Sequence, residues 1–268
     1  NFDYNYLQHR KVDVVSSALD FILPFEKYKI TAGAKVSFTN TRNGINYDTS
    51  DPTLVQDDYF RYKEQIYALY ADYSREYSER FSMQLGLRME HTRTTGISEA
   101  KDTEDKHDYT RLFPTVYLLY SPTDGHALNF SFSNRISRPS QNMVNPFPFY
   151  QNKYTYACGR EDLKPSYTYN VELGYTLKNN FNVSAYYSYS DDVFFQVVDL
   201  DAETNVTSFL WENFMQTHAF GLNNSYTFRT KWLQAYAQHG VSYRRTTSSA
   251  ATTSPEEKGL SLIHISEP

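Results

Sequence analysis

"NNFNVSAYYSYSDDVFFQVVDL", Asn179 to Leu200, is the stretch that decides the fold. In its middle every second residue is large and apolar: Phe181, Val183, Ala185, Tyr187 and Tyr189. Most residues between them are small or polar (Asn182, Ser184, Ser188, Ser190), with Tyr186 the exception. A period of two is that of a β-strand, whose side chains point alternately to opposite faces of its sheet. Strands of soluble domains usually run about 5–6 residues. This one is longer, and its length suits the roughly 9–11 tilted residues that carry a strand across a bilayer.

The same pattern recurs roughly ten times along the chain. Ile30 to Phe38, Phe81 to Met89, Leu128 to Phe132, Tyr167 to Tyr175 and Leu233 to Ala237 alternate in the same way, and weaker cases lie near Val12–Phe21, Phe60–Tyr73, Tyr109–Tyr120 and Phe220–Phe228. No helical stripe competes with them. The connections have a rhythm of their own. Short turns are expected near Pro24–Lys27, Arg75–Arg80, Ser121–Gly125, Lys178–Asn180 and Arg229–Lys231. Between them come long polar segments: Thr41–Tyr59, Thr95–Asp108, Ser137–Ser166 and Asp191–Glu212. Alternating short and long connections fit an antiparallel up-and-down transmembrane β-barrel portion of about ten long strands, with short periplasmic turns and long outer loops. Aromatic residues border every short turn: Tyr28, Phe81, Phe181 and Trp232 follow four of them and Tyr120 precedes the fifth. Such rings form a belt at a membrane–water boundary, although aromatics also open strands for intrinsic β-propensity alone.

Composition narrows the function classes. The 268 residues include 25 Tyr and 18 Phe, an aromatic content of 17% that suits surfaces with one wet and one apolar edge. Mean hydropathy is −0.64. No apolar run approaches the roughly 18 residues of a spanning helix, which leaves a spanning barrel as the membrane alternative. A net charge of −5 offers no basic footprint, so no nucleic-acid partner is expected. The single Cys158 allows no disulfide framework. Residues 1–259 read as part of one barrel domain. The last stretch, "LSLIHISEP" (260–268), resembles translated adaptor sequence and reads as a doubtful, non-native tail.

The segment "RISRPSQNMVNPFPFYQNKYTYACGREDLKPSYTYNVELGY", Arg135 to Tyr175, resembles the outer-membrane β-barrel family of TonB-dependent-receptor-like proteins common in Bacteroidota. The matching pieces are Arg135, Arg138 and Pro139, then Asn145–Pro146–Phe147, Gly159 and Leu163–Lys164–Pro165. Upstream, "FRYKEQIYALYADYS", "LGLRMEHT" and "LFPTVYLLY" are similar in the same order. One departure is Gly159–Arg160–Glu161–Asp162, where the family has Gly-Asn-Pro before Leu-Lys-Pro. The resemblance implies a barrel of about 22 strands with a lumen plug, and uptake of a scarce nutrient driven through TonB. The partners it implies are outer-membrane lipid, the plug of the same full-length chain, TonB through that plug, and optionally a surface lipoprotein. The plug and the barrel ends are expected to lie outside this chain, which leaves either two open sheet edges or closure into a smaller, non-native barrel.

No catalytic, cofactor or metal constellation is legible, and no enzyme activity is expected. The seven His are scattered without HExxH spacing, and His107–Asp108 is an indistinct triad fragment. "DLDAETN" (Asp199–Asn205) lacks the Gly and the closing Glu of a calcium loop and reads as a hairpin tip, and Asp57–Asp58 and Asp191–Asp192 read as loop acids. Arg135 and Arg138 either grip an anionic ligand or the plug, or serve as charges paired with neighbouring acids. Phe149, Tyr150, Tyr154 and Tyr156 either stack on a ligand ring or pack their loop onto the wall. Two further functions stay open on sequence: a non-transporting surface scaffold or adhesin barrel, and a soluble carbohydrate-binding β-protein whose apolar faces pack on a second layer.

Overall fold

A computed structural model describes residues 4–49, 58–99, 102–248 and 256–266, with side chains described for 7–46, 59–99 and 102–248. The long strands are β1 (Tyr4–Pro24), β2 (Tyr28–Thr49), β3 (Asp58–Ser78), β4 (Phe81–Ser98), β5 (Thr103–Tyr120) and β6 (His126–Ser137). A short helix α1 (Gln141–Val144) and a small hairpin, β7 (Phe149–Asn152) and β8 (Thr155–Cys158), come next. The meander resumes with β9 (Ser166–Leu177), β10 (Phe181–Asp201), β11 (Val206–Arg229), β12 (Gln234–Ser248) and β13 (Glu256–Ser266). All belong to one sheet, in the order β1-β2-β3-β4-β5-β6-β9-β10-β11-β12-β13, with antiparallel neighbours throughout.

Alternation sorts the side chains as the sequence pattern requires. On β3, β4 and β9 the residues Leu69, Leu87 and Leu173 are 56%, 51% and 56% exposed, while Thr92, on the opposite face of β4, is 0% exposed. Thr41, Asn43 and Ser98 are buried with it. Apolar outside and polar inside is the reverse of a soluble core, and it removes the two-layer alternative. Register keeps the apolar side continuous across strands: Leu69 pairs with Met89, and Met89 with Leu112. From Phe81 to His91 there are ten steps; at about 3.4 Å each and the usual tilt of about 40°, they climb roughly 26 Å, the height of a lipid-facing band.

The five short turns lie at one end, as an up-and-down path demands. The turn between β9 and β10 shows why its residues are there. Asn180 N donates to Leu177 O at 3.0 Å, and the two residues between, Lys178 and Asn179, have φ of 49° and 58°. That is the type I′ geometry that matches strand twist. Tyr28, Phe81, Tyr120 and Phe181 project from the apolar face at this end, Phe81 directly opposite Tyr120, and Trp232 sits in the last turn at 84% exposure.

At the other end the expectation of long loops needs correction. β2 continues to Thr49, β4 to Ser98 and β10 to Asp201, so Thr41–Tyr59, Thr95–Asp108 and Asp191–Glu212 are largely paired strand (50–57 lies outside the described residues). These hairpins rise above the band into water. There the ends of β2 to β5 are largely polar on both faces, while on β10 apolar residues occupy both (Phe194 and Phe195, Val197 and Val198), so the alternation that marks a half-buried strand vanishes although the backbone ladder continues. Asp191–Asp192 is likewise no loop: the register shifts between Ser190 and Val193, and Asp192 has φ of 52°. It is a β-bulge, with Asp in the left-handed region it tolerates better than most residues. The tip Asp201–Asn205 is a tight turn, with Asp201 accepting from Glu203 N at 2.8 Å and from the Thr204 hydroxyl at 2.7 Å.

Closure into a smaller barrel does not occur: β1 and β13 are not paired and the sheet is open. It is nevertheless strongly curved. Phe60 on β3 joins Val144 and Leu163 in one cluster against which Phe194 of β10 and Trp211 of β11 pack. At about 4.8 Å per strand, β3 and β11 would stand roughly 29 Å apart in a flat sheet. β13 covers much of the doubtful tail, pairing Glu256–Ser266 with Thr247–Ala237. Leu87→Arg is expected to cost about 2–4 kcal/mol in urea unfolding from lipid vesicles, as a charge placed near the middle of the lipid face. Asn170→Lys, on the inner face of β9, is expected to stay within about 0.5 kcal/mol in the same measurement.

Candidate functional site

Among the described residues one long connection is not a hairpin extension. Arg138–Pro165 leaves β6, folds inward and crosses the polar face before β9 begins, forming a strap. Its interior is apolar and close-packed. Val144 and Leu163 are 3% and 5% exposed against Phe60, and Phe147 is 5% exposed with its ring edge-on to Phe149. Asn145 is buried and organises the bend: its N donates to Gln141 O at 2.9 Å, its side-chain oxygen accepts from Phe147 N at 3.2 Å, and its carbonyl accepts from Gly159 N at 2.8 Å. A Cβ on Gly159 would lie 2.3 Å from that carbonyl, so the close approach itself demands glycine. Cys158 donates its thiol to Pro146 O at 2.9 Å, which gives this lone cysteine a local structural contact.

The strap ties distant strands together. Arg160 reaches Glu212 on β11 at 2.6 Å, while the next residue, Glu161, accepts from Thr103 on β5 at 3.1 Å. Lys164 exchanges two hydrogen bonds with the Asn213 side chain, at 2.8 and 2.9 Å. β8 pairs in parallel with Thr207–Leu210 of β11, where β12 no longer runs alongside. The departure at Arg160–Glu161–Asp162 thus supplies the cross-links: Arg160 also holds Asp162 at 2.7 Å, and its guanidinium stays firmly charged beside both acids.

The two arginines singled out in the sequence part company. Arg138 follows the end of β6 and turns onto the inner wall, where Nη2 donates to Glu90 at 2.6 Å and to Thr92 at 3.2 Å, with Glu64 at 3.7 Å. Glu90 is shared with Arg88, also at 2.6 Å, Arg88 lies over the Tyr70 ring at 5.5 Å, and Tyr70 donates its hydroxyl to Asp20. This chain of charge and hydrogen bonds spans β1, β3, β4 and the strap. Burial pushes the Glu64 carboxyl above its usual range, against the pull of Arg138, and nearby Glu90 pushes the same way. Arg135 remains exposed on the inner face of β6, makes no ion pair among the described residues, and lines a cavity of about 520 Å³ with Tyr70, Asp72, Arg88 and Phe113.

That cavity opens where the wall splits. β5 and β6 pair only from Thr115–Ser133 to Tyr120–Leu128. Leu112 O faces β6, accepting from Asn134 Nδ2 at 3.5 Å, and alternation turns the nitrogen of Pro114 the same way. Proline has no N–H to donate, so the ladder ends there. Above it Arg111 bridges the seam, its guanidinium 4.7 Å over the Tyr167 ring.

Of the four aromatics expected to stack on a ligand or pack the loop, Phe149 packs on Phe147, and Tyr150 and Tyr156 face each other at 5.5 Å. Tyr154 is 54% exposed beside Lys153. Pro139, Pro146 and Pro165 punctuate the strap. His107 and Asp108, neighbours on β5, point to opposite faces: His107 meets Asp105 at 2.9 Å inside, and Asp108 meets Arg93 at 3.0 Å outside. They cannot act together. Among the described residues no group of His, Cys, Asp and Glu is placed to hold a metal. Sequence reading missed Glu64, Arg88, Glu90 and Tyr70. The available signal was charge on the inner phase of the alternation, Arg88 and Glu90 two residues apart.

Arg138→Gln is expected to cost about 2 kcal/mol, below the roughly 3–5 kcal/mol of a fully buried pair, because Arg88 still holds Glu90. Glu64→Gln should be near neutral at acid pH, where the carboxyl is protonated, and at least as stable as wild type at pH 7. It should also flatten a loss of stability as pH rises through and above the usual carboxylate range, where folding favours the protonated form; chemical unfolding at a series of pH values checks both. Gly159→Ala should release the strap, read as new protease cleavage between 145 and 165, at a cost of about 2–3 kcal/mol. Pro114→Val should extend the β5–β6 ladder upward and slow amide exchange around Asn134 and Arg135.

The geometry has counterparts among solved structures. The copper transporter OprC superposes with a TM-score of 0.67 at 12% identity, covering 97% of this chain and 43% of its own. The ferric yersiniabactin uptake receptor FyuA of Yersinia pestis gives 0.56 at 16% identity, over 92% of this chain and 37% of its own. The ferric citrate transporter FecA gives 0.55 at 12%, over 97% and 40%. At these identities the likeness concerns the fold, and the chain spans less than half the length of each. No curated protein matches the sequence. The family whose sequence profile matches, over residues 1–262, is the outer membrane protein beta-barrel family, and the match covers nearly the whole chain. With a lipid-facing apolar side, a polar inner wall and that match together, the chain belongs to the outer membrane protein β-barrel family and resides in the bacterial outer membrane.

Proposed function

We propose that this chain is the barrel portion of a TonB-dependent receptor that takes up a bulky nutrient, with the strap forming part of its outer mouth. The observation that carries the reading is the strap itself, a close-packed segment folded inward over a polar wall. A surface scaffold would present its long connection outward, where partners can reach it. Here Arg138 and Leu163 fasten it inside, narrowing the mouth and shaping what can enter. Below the strap, Arg135, Arg88, Asp72 and Tyr70 line open space with mixed charge and one aromatic ring, groups suited to a polar ligand or to the plug of the full-length chain. The exposed Tyr154 and Lys153 at the strap's hairpin turn are the first groups a ligand would meet. The rings at the short-turn end act as the periplasmic interfacial belt.

The test uses cells producing the full-length protein. Uptake of labelled ferric citrate, a ferric catecholate, copper and a malto-oligosaccharide is compared among wild type, a strain lacking TonB, and a variant whose residues 139–165 are replaced by a short Gly-Ser turn. At least one probe should accumulate in wild type and fall about tenfold or more in both others, with surface barrel levels equal. Uptake independent of TonB, or none of any probe, overturns the transport reading in favour of a scaffold.

A further inference from the structure

We infer that the outward face of β1–β5, just above the apolar band, is a docking surface for a phosphorylated, multiply acylated glycolipid of the outer leaflet. The register places six cations there: Lys11, Arg42, Arg61, Lys63, Arg93 and Lys106. Among the strand residues whose side chains are described, three carboxylates share the surface, Asp13, Glu104 and Asp108, on a chain whose net charge is −5. On β6, β9, β10 and β11 the same outward phase carries no Lys or Arg, and on β12 it carries Arg245 alone, so the six cations form a cluster of their own.

Its arrangement is electrostatically unfavourable unless an anion is present. Lys11 is directly opposite Arg42, and Arg42 directly opposite Arg61, a line of three like charges across adjacent strands. Cross-strand like-charge pairs are destabilising. Asp13 answers part of this, at 3.6 Å from Arg42 and 3.8 Å from Lys11. Arg93 is held by Asp108 at 3.0 Å and Lys106 by Glu104 at 2.9 Å. Arg61 and Lys63 have no carboxylate partner among the described residues, and the Arg61 Nε is buried without a hydrogen bond. A phosphate at this point would pair with both and separate the line of charges.

Position selects the source of that phosphate. One or two rungs below Lys63 and Arg93 begin Phe38, Tyr67, Leu69, Met89 and Leu112, exposed and continuous with the lipid-facing band. A soluble anion would use the cations and leave this surface unused. A glycolipid engages both, its phosphates on Arg61 and Lys63 and its acyl chains along the rings and aliphatic groups below. The patch is at the end away from the short turns, the side on which the outer leaflet lies.

The probe is bisphosphorylated lipid A, with its dephosphorylated form as comparison, added to the full-length protein in detergent and counted as bound adducts by native mass spectrometry. Arg42→Gln, Arg61→Gln and Lys63→Gln together should weaken binding about 100-fold, about fivefold per cation. The dephosphorylated lipid should bind wild type no better than it binds this variant. Without lipid, the same variant should unfold at an equal or higher temperature than wild type, because the like-charge line is gone; a purely structural role would lower it. Replacing Lys27, Arg75 and Arg80 with Gln at the short-turn end should leave binding unchanged. Retention of lipid A within threefold by the triple variant, equal binding of the dephosphorylated lipid, or equal loss in the short-turn control would overturn the assignment.

Discussion

Everything in this molecule follows from the absence of water along one side of its sheet. In hydrocarbon no solvent can satisfy a backbone N–H or C=O, so each must find its partner in a neighbouring strand. The consequence is an unbroken meander in which residue after residue pairs across β1 to β5. The apolar side chains need no second layer, because lipid is their solvent. Exposure that would mark a soluble protein as misfolded, such as that of Leu69, Leu87 and Leu173, is here the condition of stability.

Above the band water returns and the constraint relaxes. Three connections keep the paired form anyway, as hairpins continuing their strands, because a ladder once begun satisfies the backbone as well as water does. The fourth does something else. With β12 pairing β11 only from Met215 onward, the upper part of β11 offers a free edge, and β8 takes it in parallel register. The strap is then held at both sides by charge, Arg138 toward β3 and β4 and Arg160 toward β11, and at its centre by apolar packing on Phe60. Curvature and strap are mutually dependent: only a curled sheet brings those anchor points within reach of a single short segment.

Charge is distributed by the same logic. Inside, cations and carboxylates are interleaved closely enough that Arg88, Glu90 and Arg138 form one network. Outside, charge is nearly absent from the lipid band, with Arg75 opposite Met83 at the short-turn border an exception, and the cations resume in the first rungs above. Pro114 marks a third kind of site, where the wall is interrupted by the absence of one hydrogen-bond donor and the gap is spanned by the Arg111–Tyr167 contact.

The sequence alone determined the strand class, the two faces and the end at which the short turns lie, because a period of two and turn chemistry are local properties that lipid and water read directly. It also carried the family motifs, and with them the position of the strap. It concealed the hairpin extensions, since a strand with like residues on both faces, polar at the ends of β2 to β5 and apolar on β10, loses the alternation that reveals it, and the bulge at Asp191–Asp192, which local composition presents as a loop. Arg135 and Arg138 look equivalent on the page. Only the fold separates them, by curling β3 and β4 round to meet one and leaving the other facing open space. The partners Glu64 and Glu90 lie more than 40 residues from Arg138, and such a distance is closed by sheet curvature, which no short stretch of residues encodes by itself.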